Sequence, residues 1–214
     1  MKMVTWALAA GFVLVVAFNF ILLNKYKQER EANVYIAEKQ EKVSANELTL
    51  QENMLFQYAA EVTPCPDVVL KNPKTKGEQK LSELVEGKEP KLFFRFKETD
   101  CDVCIQKALR LLKEITTEFP DLPVTILSGY ANTRQFYAYA NSENKSYEIY
   151  NIGSFPVILE EQDKPYFFVL NGSLTMENVY IFTQENSRLS REYLKCMMHK
   201  YGYCPEEHDH TEHQ

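Results

Sequence analysis

The residues of this chain whose types and spacing could do chemistry are two cysteines three positions apart, Cys101 and Cys104. They follow a short apolar and aromatic run at 92–96, which is typical of a buried strand. The apolar residues after them are spaced as on one face of an amphipathic helix: Ile105, Ala108, Leu109, Leu111 and Leu112. Free N–H groups at a helix start stabilise a nearby thiolate, and a thiolate is the nucleophile in disulfide exchange. The spacing therefore predicts a redox-active pair at a junction between a strand and a helix.

Two other interpretations of this pair stay open at this point. Half of a zinc site has the same spacing, although no second Cys-x-x-Cys or Cys-x-x-His follows at the distance found in zinc fingers. A purely structural disulfide is the second alternative. The strand before the cysteines and the helix after them favour redox chemistry.

Length and composition limit the classes of protein that are consistent with this sequence. The 214 residues, 45% of them hydrophobic, allow one domain of ordinary size, additional segments and a substantial core. A net charge of −6 at pH 7 argues against binding to nucleic acid. Five cysteines are many for a cytosolic protein of this size, so the sequence favours an oxidising compartment.

The start of the chain predicts a membrane anchor. Residues 3–23 are apolar except for Thr5 and Asn19, and as a helix they would be about 31 Å long, which matches the hydrocarbon core of a bilayer. A cleaved signal peptide is the alternative, but such peptides have a shorter apolar region and small residues at the cleavage point. The apolar run of this chain is longer than in a signal peptide, and it has no small residues in a cleavage pattern at its end. We therefore predict an uncleaved transmembrane anchor over 1–24 that contacts the lipid bilayer through 3–23.

Charge and cysteine usage disagree about the side of the membrane on which the soluble part lies. Lys2 precedes the apolar run and three basic residues follow it within 25–30, so counting Lys and Arg alone would place the large domain in the cytoplasm. Cysteine usage favours the opposite side. Because Glu29 and Glu31 indicate an ordinary solvated helix there, we give the cysteines more weight and predict an extracytoplasmic domain.

The remaining chain divides into a stalk, a domain and a tail. Residues 26–62 contain neither Gly nor Pro, so a helical stalk is predicted over 25–62, and a coiled-coil partner is weakly supported because no heptad persists. Pro64 and Pro66 end this helix and begin a domain predicted over 63–200, followed by a flexible His-rich tail over 201–214. The predicted strands of the domain are 67–70, 92–96, 122–128, 165–170 and 176–183, and its predicted helices are 81–85, 105–112, 132–141 and 187–198.

Four further expectations concern the ends of these elements and how they are joined. Strand 122–128 should run parallel to strand 92–96, because a helix lies between them. Asn132 should cap the helix that follows it, and residues 141–150 should form a polar loop. Strands 165–170 and 176–183 should form a hairpin, because Asn171 and Gly172 supply a turn.

A series of short motifs carries a family resemblance. In order, they are Pro66-Asp67, Leu70, Gly77, Leu81-Ser82-Glu83-Leu84, Gly87-Lys88, an aromatic strand and the Cys-x-x-Cys pair. Their order and spacing resemble those of membrane-anchored thioredoxin-like thiol–disulfide oxidoreductases, the redoxin proteins of the TlpA/ResA type, over roughly residues 65–196. The resemblance implies a thioredoxin-like α/β fold, with a central mixed sheet flanked by helices. It also implies a single N-terminal anchor in the cytoplasmic membrane of a bacterium and exchange with extracytoplasmic protein thiols and disulfides.

The resemblance also implies a role for a proline. In this family a cis proline precedes the third core strand, faces the two cysteines and contacts bound substrate, and Pro165 matches that position. Pro156 is the alternative, but the acidic residues of 160–163 interrupt the strand that would follow it. An ordinary proline at a strand entry is the other interpretation of Pro165.

The sequence departs from the family around the cysteines. The family usually has Trp before the first cysteine and Pro between the two, whereas here the first cysteine is flanked by Glu98, Asp100 and Asp102. Negative charge disfavours the thiolate that the helix start favours, so we expect the pair to be a reductant or a weak oxidant. Cys101, nearer the exposed turn, is the expected attacking nucleophile, and Cys104 is the expected resolving thiol.

The other cysteines and the tail leave alternatives open. Cys65 has no obvious partner, and Cys196 and Cys204 either form a local disulfide or stay free. The tail histidines could bind a metal, but a short polar end is more often disordered: His208, His210 and His213. The sequence predicts neither a cofactor nor a resident metal.

Two other functions are consistent with the same residues. A copper-delivery module could hold the ion with Cys101, Cys104 and a histidine, although known carriers of that shape usually separate the cysteines by three residues rather than two. A binding domain that kept the fold and lost the chemistry is the second alternative, and the acidic motif without Trp makes it credible.

Overall fold

The computed structural model describes residues 2–86, 89–142, 147–183 and 187–203, and for 2–17, 142 and 187 it describes the backbone alone. The chain divides into two units, 1–52 and 53–214. One long helix, α1 (Lys2–Val62), covers the residues predicted as anchor and as stalk. Among the described residues, no helix is both long enough and apolar enough to cross a membrane. Because the side chains of 2–17 lie outside the description, the anchor stays a prediction.

The second unit contains one mixed sheet of seven strands in the order β2-β1-β5-β4-β3-β6-β7. The strands are β1 (Val69–Lys71), β2 (Glu78–Lys80), β3 (Lys91–Lys97), β4 (Val124–Gly129), β5 (Glu148–Asn151), β6 (Tyr166–Leu170) and β7 (Met176–Ile181). Strands β3, β4 and β5 are parallel, and β6 is antiparallel to β3. The remaining neighbours, β1 with β2, β1 with β5 and β6 with β7, are antiparallel. The parallel pairing predicted for β3 and β4 and the predicted hairpin of β6 and β7 are confirmed.

Helices cover both faces of this sheet. They are α2 (Leu81–Val85), α3 (Asp102–Glu118), α4 (Thr133–Ser142), α5 (Ser187–Lys200) and a short 3-10 helix (Ile158–Glu161). Side chains alternate along β3, so Phe94 joins the core formed with α3, α4 and α5, while Phe93 joins the core formed with α2 and the 3-10 helix. The predicted mixed sheet flanked by helices is therefore confirmed.

Helix α3 forms because its sequence combines a cap with an amphipathic face. Cys101 caps its start, and its apolar side chains at Ala108, Leu112 and Ile115 are fully buried against the sheet. Burying one such leucine or isoleucine stabilises the fold by about 1.5–3 kcal/mol. The helix ends at Glu118, because Pro120 disfavours helical backbone at Phe119, the residue before it. Phe119 is the C-cap, and its N–H donates to the Ile115 carbonyl. The packed face holds the first turn, with both cysteines, at a fixed position over β3.

The structure contains three short elements that were not predicted. Residues 141–150 were expected to form a loop, but Glu148–Asn151 form β5, which pairs with β4 and buries Ile149 and Tyr150. Strand β2 and the 3-10 helix were not predicted, because each is too short to show periodicity. The cap of α4 is confirmed, since the backbone N–H of Arg134 donates to Asn132 Oδ1 at 2.8 Å.

Candidate active site

The two cysteines lie where β3 leads into α3, as the sequence predicts. Cys101 is exposed and occupies the N-cap position, and its sulfur accepts a hydrogen bond from the backbone N–H of Cys104 at 3.3 Å. The Cys101 carbonyl accepts from the N–H of Ile105 at 3.0 Å, which starts the helix. Cys104 is buried one turn into α3. An accessible sulfur at a helix start, with a second sulfur-bearing residue behind it, is the arrangement that disulfide exchange needs.

A tight turn joins β3 to this helix. The backbone N–H of Lys97 donates to Asp100 Oδ2 at 2.7 Å, and the N–H of Asp100 donates to the Lys97 carbonyl at 3.1 Å. Asp100 is only 6% exposed, and burial raises the pKa of its carboxyl, although the N–H and the charge of Lys97 oppose that shift. Its Oδ1 accepts no hydrogen bond from any described residue and lies 4.0 Å from the Lys97 ammonium. Asp100 therefore holds the backbone immediately before Cys101.

The three carboxylates predicted around Cys101 have different surroundings. Asp100 is turned into the protein, whereas Asp102 is exposed in the first turn of α3. Glu98 Oε2 accepts a hydrogen bond from the backbone N–H of Ala131 at 3.3 Å. Tyr130 is half-buried, and its pKa is raised first by burial and then by the charges of Glu98 and Asp102. Two of the three charges therefore lie at the surface beside a tyrosine.

Pro165 lies at the same end of the sheet as the cysteines. It immediately precedes β6, whose first residue, Tyr166, pairs with Arg95 near the carboxyl end of β3. The expected cis bond before Pro165 is wrong, because the described residues contain no cis peptide bond. Pro165 is buried, and its carbonyl accepts from the N–H of Phe182 at 2.8 Å, as for an ordinary proline at a strand entry. The topology supports its predicted place, and its contact with substrate stays a prediction.

A buried ion pair that sequence reasoning missed lies at this end of β3. Arg95 is 2% exposed at the side chain, and its Nε and Nη2 donate to the two carboxylate oxygens of Glu160 at 3.0 and 2.9 Å. Tyr166 also donates to Glu160 at 2.9 Å, and burial raises the pKa of its hydroxyl well above the usual value. Lys97 donates to the Glu160 carbonyl at 2.8 Å and to Asp163 at 2.9 Å. This charged cluster ties the segment before Pro165 to the strand that leads to the cysteines.

A glycine makes room for the guanidinium of this pair. A Cβ at Gly129, the last residue of β4, would lie 2.8 Å from Arg95 Nη1, which is far inside van der Waals contact. The same nitrogen donates to the carbonyls of Phe96 at 3.2 Å and Leu127 at 3.5 Å. The run of Leu-Ser-Gly at the end of β4 was the available sequence signal, because a glycine in a strand often marks a close approach.

The other predicted thiols lie apart from this site in the sequence and differ in exposure. Cys65 is buried, its sulfur lies 3.8 Å from the Pro66 carbonyl, and burial with the charge of Asp67 raises its pKa to about 12. Cys196 is exposed and forms no disulfide with another described cysteine; its predicted partner Cys204 lies outside the described residues, so that pairing stays a prediction.

The sequence left open a copper site at the two cysteines and a metal site in the tail. The described part of the chain contains no group of three or more His, Cys, Asp or Glu side chains that could hold a metal ion. The tail histidines lie outside the described residues: His208, His210 and His213. The copper alternative therefore gains no support from the described part of the chain.

Comparisons with known proteins concern the fold. No family model matches the chain, and no curated protein matches it. One similar solved structure is an uncharacterized thioredoxin-like protein from Porphyromonas gingivalis; it is 18% identical, with a TM-score of 0.47, over 64% of this chain and 90% of that chain. A thioredoxin domain of a thiol-disulfide oxidoreductase from Bacteroides vulgatus is 11% identical, with a TM-score of 0.44, over 63% of this chain and 97% of its own. A secreted Mycobacterium tuberculosis disulfide oxidoreductase homologous to E. coli DsbE is 11% identical, with a TM-score of 0.43, over 61% of this chain and 96% of its own.

The strand order and directions, with helices on both faces of the sheet, give this chain a thioredoxin-like α/β fold.

Proposed function

We propose that this protein exchanges thiols and disulfides with other proteins through Cys101 and Cys104. The observation that supports the proposal is the exposed Cys101 sulfur at the N-cap of α3, 3.3 Å from the N–H of buried Cys104. The N–H can donate to the Cys101 sulfur while that sulfur acts as nucleophile or leaving group, and the exposure of Cys101 lets a partner disulfide approach it. Burial of Cys104 protects it from attack by other thiols and keeps it for the second step.

The proposed reaction has two exchange steps. In the first, the Cys101 thiolate attacks one sulfur of a substrate disulfide, forms a mixed disulfide and releases the other substrate sulfur as a thiolate that takes up a proton. In the second, Cys104 loses its proton and attacks the Cys101 sulfur, which closes the Cys101–Cys104 disulfide and releases the second substrate thiol. Two electrons and two protons thus pass to the substrate. The same steps in reverse oxidise a dithiol.

We further propose where this exchange takes place. The apolar run at 3–23 would tether the chain to the cytoplasmic membrane, and the cysteine usage favours a periplasmic or extracytoplasmic side for the thioredoxin-like unit. The substrates are then extracytoplasmic proteins with thiols or disulfides. Labelling intact cells with a membrane-impermeant maleimide tests this placement, because Cys101 should react at once. Protection of Cys101 until the cells are opened would contradict it.

Trapping the first intermediate tests the assignment of the two cysteines. The reduced Cys104→Ser variant, treated with glutathione disulfide, should accumulate a mixed disulfide on Cys101 that mass spectrometry detects as one added glutathione. The Cys101→Ser variant should not form it, and a Cys196→Ser/Cys204→Ser background removes both the other exposed thiol among the described residues and the cysteine that lies outside them. A stable adduct on Cys104 in the Cys101→Ser variant, formed as fast as on Cys101, would refute the assignment.

The reduction potential of the pair separates this proposal from its alternatives. Equilibration with glutathione buffers should give a reversible potential for Cys101–Cys104, and adding Cu(I) in one equivalent should leave turnover with a protein disulfide intact. Tight binding of one equivalent of copper that abolishes thiol–disulfide exchange would favour a copper-delivery module. A pair that neither exchanges nor binds copper would favour a binding domain without chemistry.

A further inference from the structure

A basic groove runs between α3 and α5 on a protein that is otherwise acidic. The groove has a volume of about 680 Å³ and is lined by five cationic side chains: Lys107, Arg110, Arg188, Arg191 and Lys195. Two carboxylates, Glu114 and Glu192, also line it. The whole chain carries a net charge of −6, so this concentration of positive charge is local to the two helices.

Part of this positive charge is used within the protein and part is not. Arg191 pairs with Glu118 at 2.5 Å and with Glu114 at 3.6 Å, and Lys195 pairs with Glu118 at 2.7 Å. These pairs fasten α5 to α3. The other three cations form no ion pair among the described residues and are exposed at the rim: Lys107, Arg110 and Arg188. An anionic group entering the groove would therefore meet cations that are still available.

The groove is short and its floor is apolar. Its lining on each helix spans eight residues, Lys107–Glu114 on α3 and Arg188–Lys195 on α5, which corresponds to about 10 Å along the helix axis. An extended polypeptide rises about 3.3 Å per residue, so three or four residues fit. Leu111 lies at the floor and is only 7% exposed, so its contact area for an apolar side chain of a ligand is small. The dimensions match a short segment of polypeptide.

We propose that this groove binds a short acidic segment of a partner protein, with carboxylates facing Lys107, Arg110 and Arg188. A polypeptide fits better than a phosphate polymer, because a peptide can place an apolar or neutral residue opposite Glu114 and Glu192, where a continuous row of phosphates would be repelled. Lys107 is six residues after Cys101 on the same helix, or about 9 Å along its axis. A protein bound here through an acidic segment would lie next to the exposed thiol, although the binding itself needs no thiol chemistry.

Peptide binding to the full-length protein in detergent solution tests this proposal. The probe is a fluorescein-labelled pentapeptide that alternates Glu with Leu, and a peptide with Lys in place of Glu is the negative probe. We expect the acidic peptide to bind, and the Lys107→Glu/Arg110→Glu variant to bind it at least tenfold more weakly. The Lys71→Glu/Lys80→Glu variant is the matched control, because it reverses two exposed lysines on β1 and β2 and has the same net charge. Raising the salt from about 50 mM to about 500 mM should weaken binding of the acidic peptide.

Further measurements decide between outcomes. Arg188→Glu, on the other helix, should weaken peptide binding independently if the first variant does not fold. Equal peptide affinity in the groove variant and the control variant would overturn the proposal. It would also be overturned if phosphatidylserine vesicles or a single-stranded oligonucleotide, but not the peptide, bound in a way that depends on Lys107 and Arg110. Because Cys101 and Cys104 are intact in every variant, failure of thiol exchange and failure of peptide binding are separate results.

Discussion

Replacing Glu160 by Gln tests the charged cluster at the carboxyl end of β3. In the native protein both carboxylate oxygens of Glu160 accept from Arg95, whose side chain is 2% exposed. A glutamine offers one acceptor and turns an amide N–H₂ toward the guanidinium, so the buried guanidinium loses the carboxylate that pairs with it. The carbonyls of Phe96 and Leu127, at 3.2 and 3.5 Å, both accept from Nη1, so one of the two nitrogens that bind Glu160 is left without its acceptor.

The expected loss of stability follows from the burial of this charge. Removing one partner of a buried ion pair typically costs about 3–5 kcal/mol, and Glu160 is 18% exposed, so we expect about 3 kcal/mol. With a urea dependence of about 2 kcal/mol per M for a domain of this size, the unfolding midpoint should fall by about 1.5 M. The Tyr166 hydroxyl, which also donates to Glu160, would compete with Arg95 for the one remaining oxygen, and this competition adds to the effect in the same direction.

Urea unfolding followed by tyrosine fluorescence and circular dichroism measures this change. Glu161→Gln is the matched control, because Glu161 is the exposed neighbour in the same 3-10 helix and should change the free energy of unfolding by less than about 0.5 kcal/mol. Equal unfolding midpoints for the two variants would refute the reasoning. It would show that Arg95 either finds another counterion or reaches water when Glu160 is neutral.

Three further predictions concern single residues. Burial raises the pKa of Asp100 in the folded protein, so its ionisation costs stability as pH rises above the unfolded value; Asp100→Asn should therefore gain stability relative to the native protein between pH 4 and pH 7, as measured by urea unfolding at both pH values. Cys65, whose pKa is raised to about 12, should resist iodoacetamide at pH 8 until the protein unfolds, while Cys101 reacts in the folded state, as peptide mass spectrometry would show. Gly129→Ala should displace Arg95 and cost about 1–3 kcal/mol in unfolding free energy.

Each of these predictions has an outcome that contradicts it. A stability difference for Asp100→Asn that is the same at pH 4 and pH 7 would show that the carboxyl titrates as in the unfolded chain. Labelling of Cys65 in the folded protein at the rate of Cys101 would show that water and reagent reach it. For Gly129, the matched control is Gly153→Ala, because nothing lies within 4 Å of a Cβ built there; equal effects at the two glycines would argue against a clash with Arg95.

The elements around the cysteines could be predicted from the sequence because their signals are local. A continuous aromatic run indicates β3, and one apolar face followed by Pro120 sets α3 and its end. Their parallel neighbour β4 followed from the helix between them. Strand β5 could not be predicted in the same way, since only four residues carry it and Glu148 and Asn151 are polar; pairing with β4 decides its conformation.

The charged cluster was beyond sequence reasoning for a different reason. Arg95 and Glu160 are 65 positions apart, and no local pattern links them. In the sequence Arg95 looked like the single polar residue of an aromatic strand, and the acidic run at 160–163 looked like an interruption of a strand. Only the antiparallel pairing of β3 with β6 brings the carboxyl end of one strand next to the segment that precedes the other. The position of Pro165 before β6 was predicted from the family resemblance. The cis peptide bond that the resemblance implied was wrong, and the conformation of that bond depends on the same segment.

The cluster is best understood through the geometry that it imposes. A buried ion pair contributes little net stability compared with apolar side chains of similar volume, because desolvating both charges offsets most of their attraction. Apolar side chains at positions 95 and 160 would leave the fold about as stable. They would not fix the position of the segment before Pro165 relative to β3, since apolar contacts have no direction. Two parallel hydrogen bonds to one carboxylate, and the bonds of Lys97 to the Glu160 carbonyl and to Asp163, fix both distance and rotation. The double change of Arg95 to Met and Glu160 to Leu should therefore keep the urea midpoint near the native value while it alters the rate at which the Cys101 thiolate attacks a protein disulfide. Unchanged exchange kinetics in that stable variant would show that the reactive turn does not depend on the segment before Pro165.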